Sequence, residues 1–112
     1  VLEKEDTVAI YGSNEFAAKA IINANGGFKE SKLGADKILA VGFDSGALQQ
    51  DAIRKGIFVG SVTQDPVQIG YQAVKLAVAA AKGETVKDVD TGSKWYDAKN
   101  IDSEEIKALL YE

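Results

Sequence analysis

The chain has 112 residues and a net charge of −4, enough for one small domain around one core and without a basic stretch dense enough to suggest a nucleic-acid surface. Cysteine and histidine are both absent, which excludes disulfides and thiol catalysis and removes the commonest general base and metal ligand. No apolar run is long enough to span a membrane as a helix.

The chain begins at Val1 and contains no methionine, so it is expected to be a processed chain or part of a longer one. Residues 1–6 form a charged lead-in. Residues 7–11 are a short β-rich run, the first expected strand, which stops at Gly12-Ser13-Asn14. Ser13 or Asn14 can cap the next helix, and Glu15 in its first turn suits the helix dipole. That helix is expected to reach about Asn25, with Ala17, Ala20, Ile21 and Ala24 on one face, and Gly26-Gly27 follows it. Residues 28–37 read as a polar surface connection whose Phe28 and Leu33 tuck back onto the core.

Residues 38–43, ILAVGF, are apolar without alternation, as expected for a strand covered on both faces. Asp44-Ser45-Gly46 is a turn. A short helix over 47–55 turns Leu48, Ala52 and Ile53 inward, and Gly56 stops it. Residues 58–63 form the third strand, ending at Gln64-Asp65-Pro66. Each strand-to-strand connection contains a helix, so these strands should be parallel, with their C-terminal ends on one edge. In such a sheet ligands bind beyond that edge.

Asp65-Pro66-Val67-Gln68 is a helix start, with aspartate as cap and proline in the first helical position. The helix should run to about Lys82. Val67, Tyr71, Val74 and Val78 form one apolar stripe; Ile69, Ala73, Leu76 and Ala80 form a second. A surface helix on a small sheet needs one stripe, so two suggest packing between two bodies. Residues 84–92 are polar with weak strand character, 94–97 a final strand segment, and Asp102-Ser103-Glu104-Glu105 a capping box opening a last helix through Leu110.

Asp44 is the sharpest functional candidate. A carboxylate at a strand end can accept hydrogen bonds from neighbouring hydroxyls, which suits a sugar; equally, it can simply cap the following helix. Gln64 offers a donor and an acceptor, or is a plain turn residue. Ser13 and Asn14 carry the same two readings. Trp95 and Tyr96 can stack on a sugar ring or serve packing. Gly12, Gly42, Gly46 and Gly60 form neither GxGxxG nor a phosphate loop, and no metal-ligand spacing is present, so no cofactor is expected. A phospho-acceptor role for Asp44 lacks the acidic pair that receiver domains need after their first strand. No nucleophile with a plausible base can be named, so catalysis is not expected.

With these residues assembled, the chain resembles the C-terminal portion of a type I periplasmic sugar-binding protein of the ribose-binding class, the solute receptors of bacterial ABC importers. The likeness runs from about Val8 to Ile101 and is most specific in VGFDSGALQQDAIRKG and GSVTQDPVQIGYQAV. It implies an α/β fold, a three-layer Rossmann-like parallel sheet with flanking helices, forming part of one lobe. Residues 8–65 would be the ligand-site segment, 66–83 a crossover helix and 84–112 a return strand and C-terminal helix. Asp44 matches the family aspartate that holds sugar hydroxyls, and Gln64 the glutamine near the hinge. The family carries Asn-Asp after its corresponding strand; here Ser13 stands at the contact position and Asn14 at the next. The resemblance further implies a monosaccharide ligand, an ABC permease as partner of the full-length protein, an extracytoplasmic location, no nucleic acid and no metal. The apolar helix suggests a homodimer of the fragment. The runner-up is the effector-binding domain of a LacI-type transcription regulator, which shares the fold; a small α/β enzyme is a third reading.

Overall fold

A computed structural model describes residues 1–111; Glu112, the last residue of the expected return segment, lies outside the described residues. The elements run β1 (Ala9–Tyr11), α1 (Glu15–Ala24), β2 (Leu39–Phe43), α2 (Ala47–Arg54), β3 (Gly60–Gln64), α3 (Pro66–Ala81), β4 (Ser93–Tyr96) and α4 (Glu104–Lys107). The strands lie side by side in chain order. β1, β2 and β3 are parallel, as the intervening helices require. β4 returns antiparallel to β3, with Ser61 opposite Tyr96 and Gln64 opposite Ser93, so the sheet is mixed.

Side chains alternate across the sheet, and the two faces differ. Ala40, Ser61, Thr63 and Tyr96 are buried on the face that carries α1 and α2, with Ala18, Ile21, Ile22, Ala52, Ile53 and Phe58 completing the core. A Cβ on Gly42 would meet Gln49 and Phe58, which is why this strand position on the helix side carries no side chain. The other face presents Tyr11, Leu39, Val41, Phe43, Val62 and Trp95. Leu39 is 40% exposed and Tyr11 57%, whereas β2 was expected to be covered on both faces. Of the three layers, this chain builds the sheet and one helical layer. Its apolar strand therefore has partners on one side only.

The helix starts follow the capping chemistry. Asn14 rather than Ser13 caps α1, its Oδ1 accepting from the Ala17 amide at 2.8 Å. Asp65 caps α3 by accepting from the Gln68 amide at 2.9 Å. Ser103 caps α4, which stops at Lys107, short of Leu110. The buried face of α1 is Ala18, Ile21 and Ile22, one position round from the expected alanine stripe. In α2, Gln49 takes an inward place beside Ala52 and Ile53. Leu33 is buried and Phe28 packs against the core, as expected of their loop. No strand forms over 84–92.

Among the described residues α3 stands apart: none of its own 16 residues is buried. Val67 is 70% exposed and Val74 66%. The molecule measures 57 × 29 × 19 Å with a radius of gyration of 17.1 Å, against roughly 13 Å for a compact chain of this length. The helix and the extended segment after it make up a projecting arm.

Candidate functional site

The C-terminal ends of the three parallel strands bring Ser13, Asn14, Asp44 and Gln64 to one edge. Asp44 follows β2 directly and has a left-handed backbone, φ +75°. A non-glycine residue in this region is strained by about 1–2 kcal/mol. Its surroundings hold it there. The Asp44 carbonyl accepts from the Tyr96 hydroxyl at 2.8 Å, the Ser61 hydroxyl at 2.9 Å and the Gln49 amide at 3.3 Å. Its own amide donates to the Val62 carbonyl at 2.7 Å. Tyr96, Ser61 and Gln49 are all buried, so these are bonds made inside the core. Burial of the Tyr96 phenol, assisted by the nearby Tyr111 and Asp44, pushes its pKa up to about 12.

The Asp44 side chain does not cap the helix that follows it. The α2 cap is Gly46, which has no side-chain bond to offer. Instead Asp44 Oδ2 accepts from the Glu15 amide, the first residue of α1, at 2.9 Å. One carboxylate oxygen thereby ties the end of β2 to the start of α1; among the described residues Oδ1 accepts no hydrogen bond. Asp44 lines an open concavity of about 410 Å³ with Asn14, Glu15, Phe16 and Lys19. Glu15 and Lys19 form an ion pair within α1. The Glu15 carboxylate lies over Gly46, where a Cβ would collide with it.

The structure thus brings Asp44 and Asn14 to one concavity, with exposed Ser13 immediately before it in the chain. Gln64 is exposed at the end of β3 and lines a separate recess of about 70 Å³ with Asp65, Thr91, Ser93, Lys94 and Leu109. The two aromatic candidates divide. Tyr96 is a core residue and supports Asp44 from behind. Trp95 lies over Gly60 on the open face, its ring occupying the space a Cβ would need.

Two residues that strand-end reasoning passes over belong to this edge. Phe16 is 82% exposed at the mouth of the concavity. Its signal was available, since a large aromatic falls in the first helical turn, off the apolar stripe. Tyr111 had no such signal. It is brought in from the far end of the chain as the C-terminal segment docks. Thr63 donates to Ser45 Oγ at 3.0 Å, Ser45 to the Leu109 carbonyl at 3.3 Å, and Gln50 to the Tyr111 carbonyl at 2.9 Å. Burial raises the Tyr111 pKa, and the neighbouring Asp44 and Glu15 carboxylates add to the shift. Among the described residues no acidic cluster could hold a metal ion. A carboxylate, an amide and an aromatic ring around one open concavity can offer hydrogen bonds and a stacking face to a polar molecule.

The family model described as the periplasmic binding protein domain matches residues 1–85. The chain belongs to this family. Among solved structures it is similar to a Brachyspira murdochii protein named as an ABC transporter, LacI family transcriptional regulator, at 48% identity and a TM-score of 0.86, over 99% of this chain and 37% of that one. An ABC transporter solute binding protein from Agrobacterium vitis with bound D-fucose matches at 30% identity and TM-score 0.74, over 92% of this chain and 34% of that one. A carbohydrate transporter solute binding protein from Agrobacterium radiobacter in complex with D-arabinose matches at 32% and 0.76, over 93% and 34%. No match is found among the curated proteins. The chain spans about a third of the length of these solved relatives. The two Agrobacterium relatives are solute binding proteins, and the α/β sheet with flanking helices is their periplasmic-binding-protein fold.

Proposed function

We propose that this chain supplies part of the ligand-binding lobe of a sugar receptor for an ABC importer. Asp44, Gln64, Ser13 and Asn14 are the contacts to the sugar. The observation that carries this reading is Asp44 itself: a strained residue at a strand end, its carbonyl fixed by three buried side chains, lining an open concavity. Strain of this kind persists where the surrounding structure over-determines it, and such positions cluster at ligand sites. The sugar-bound relatives support the ligand class. Phe16, beside Asp44, offers a face on which the apolar side of a sugar ring can stack.

In this proposal residues 8–65 carry the site, residues 66–83 cross to a second lobe and residues 84–112 return. Sugar hydroxyls bridge the two lobes, the closed form binds ligand better, and closure follows as a population shift. The closed receptor meets its permease outside the cytoplasm, and no bond is made or broken in the ligand. A second reading, effector binding in a LacI-type regulator, is favoured by the name of the Brachyspira relative. The Asp44→Asn variant tests the first. It keeps a residue tolerated at positive φ and removes the charge. In a complete receptor carrying this sequence, titration calorimetry with D-arabinose and D-fucose should show at least tenfold weaker binding, about 1.4 kcal/mol. Unchanged affinity for a sugar that binds the parent would remove Asp44 from the site.

A further inference from the structure

The C-terminal segment passes the ends of the three parallel strands in turn, along the edge that carries the candidate site. Leu109 is buried beside the end of β3 and lines the Gln64 recess. Its carbonyl accepts from the hydroxyl of Ser45, just past β2. Two residues on, the Tyr111 hydroxyl stands beside the carboxylate of Glu15, which opens α1 just past β1. We propose that Tyr111 is a positioning residue of the site: it closes a ring of hydrogen bonds that sets the direction of the Asp44 carboxylate. Its consequence for the ligand rests on the sugar reading; the ring itself does not.

The ring starts at the Ser45 amide. Ser45 is fully buried, so its N–H needs a partner inside the protein. The partner it has is the Tyr111 hydroxyl oxygen, at 3.5 Å. That oxygen carries one proton of its own, and the Glu15 carboxylate is the acceptor beside it. Lys19 pairs with the same carboxylate from one turn further along α1. The Glu15 backbone amide in turn donates to Asp44 Oδ2 at 2.9 Å, and Asp44 precedes Ser45 in the chain, which closes the ring. Gln50 fixes Tyr111 itself by donating to its carbonyl at 2.9 Å. Asp44 and Glu15 are two carboxylates on one concavity, and like charges repel. With Glu15 engaged by the phenol and by Lys19, Asp44 Oδ1 is left to a ligand. Without the hydroxyl, the Ser45 amide is orphaned and Glu15 is released to move against Asp44.

Tyr111→Phe removes the hydroxyl and keeps the ring. By NMR, exchange of the Ser45 and Glu15 amides should each speed up about tenfold, while the amides of Ile21 and Ile22 deeper in α1 keep their rates. Unchanged exchange at Glu15 overturns the proposal, because the ring would then not reach Asp44. Should Tyr111→Phe fail to fold, Gln50→Ala loosens Tyr111 through its carbonyl and carries the same expectation at Glu15. In a complete receptor carrying this sequence, Tyr111→Phe should weaken binding of D-arabinose or D-fucose, whichever the parent binds, by about fivefold in titration calorimetry. Glu15→Gln separates positioning from packing. If Tyr111 acts through Glu15, the double variant binds no more weakly than Glu15→Gln alone; losses that add would contradict the ring. A parent that binds neither sugar refutes the sugar reading, and the Glu15 amide still decides this one.

Discussion

The body of the molecule and its arm both carry apolar sequence and end in opposite states. In the body, β2 and β3 place Ala40, Ser61 and Thr63 under α1 and α2, and the core closes around Phe58, Ile22 and Ile53. In the arm, a helix twice as long as α2 is capped and started correctly, yet none of its residues is buried. Local signals are enough to make a helix; only a facing surface makes it stable, because most helical stability comes from packing. The candidate site sits on the body, where Asp44 can be held by groups that are themselves fixed.

The widest separation between the regions should appear in core deletions. Phe58→Ala removes a ring that is 1% exposed and should cost about 3–5 kcal/mol, enough to unfold much of the population. Val74→Ala in the arm should change monomer stability by less than about 0.5 kcal/mol. Denaturant melts of both variants at low concentration check this; equal losses would erase the distinction.

Capping variants come next. Asn14→Ala should cost about 1 kcal/mol, because α1 is part of the body's cooperative unit. Asp65→Ala removes a cap of the same geometry but should fray α3 locally, reducing far-UV helix signal while leaving the body's melting midpoint in place. A shift of that midpoint matching the Asn14 variant would mean that arm and body unfold together.

The smallest effect is a pH dependence confined to the body. Tyr96 has its folded pKa raised to about 12 from the ordinary 10.0 of a free phenol. The neutral phenol is therefore favoured by folding. Its contribution is fully present below about pH 10 and is lost as pH rises from there towards 12. Denaturation between pH 8 and 11.5 should show stability level at first and then falling, with a shallower fall in Tyr96→Phe. An identical slope in that variant would assign the effect to other groups. The same variant leaves the Asp44 carbonyl with the Ser61 and Gln49 donors and should cost about 1 kcal/mol at neutral pH.

What could be read from the sequence follows the range of the forces involved. Element order and the Asp65-Pro66 helix start depend on neighbours within a few residues, the parallel pairing of the first three strands follows from the helix in each connection, and all are present. The inward face of α1 shifted by one position because Ala17, Ala18, Ala20 and Ala24 are alike in size and polarity; which of them faces inward is set by the sheet. The strand-end placement of Asp44 was legible, but its conformation was not. The left-handed backbone rests on Tyr96, 52 residues away, and its carboxylate bonds to α1, 29 residues before it. The apolar run of β2 correctly signals two apolar faces. It carries no information about what covers the second one. The double stripe of α3 is the same message on a helix.

Hydrogen exchange by mass spectrometry tests the division between body and arm most directly. Amides of β2, β3 and α1 should be protected while those of α3 exchange rapidly. If α3 is as protected as β2, the arm is held by the body itself and the account of two unlike regions is wrong.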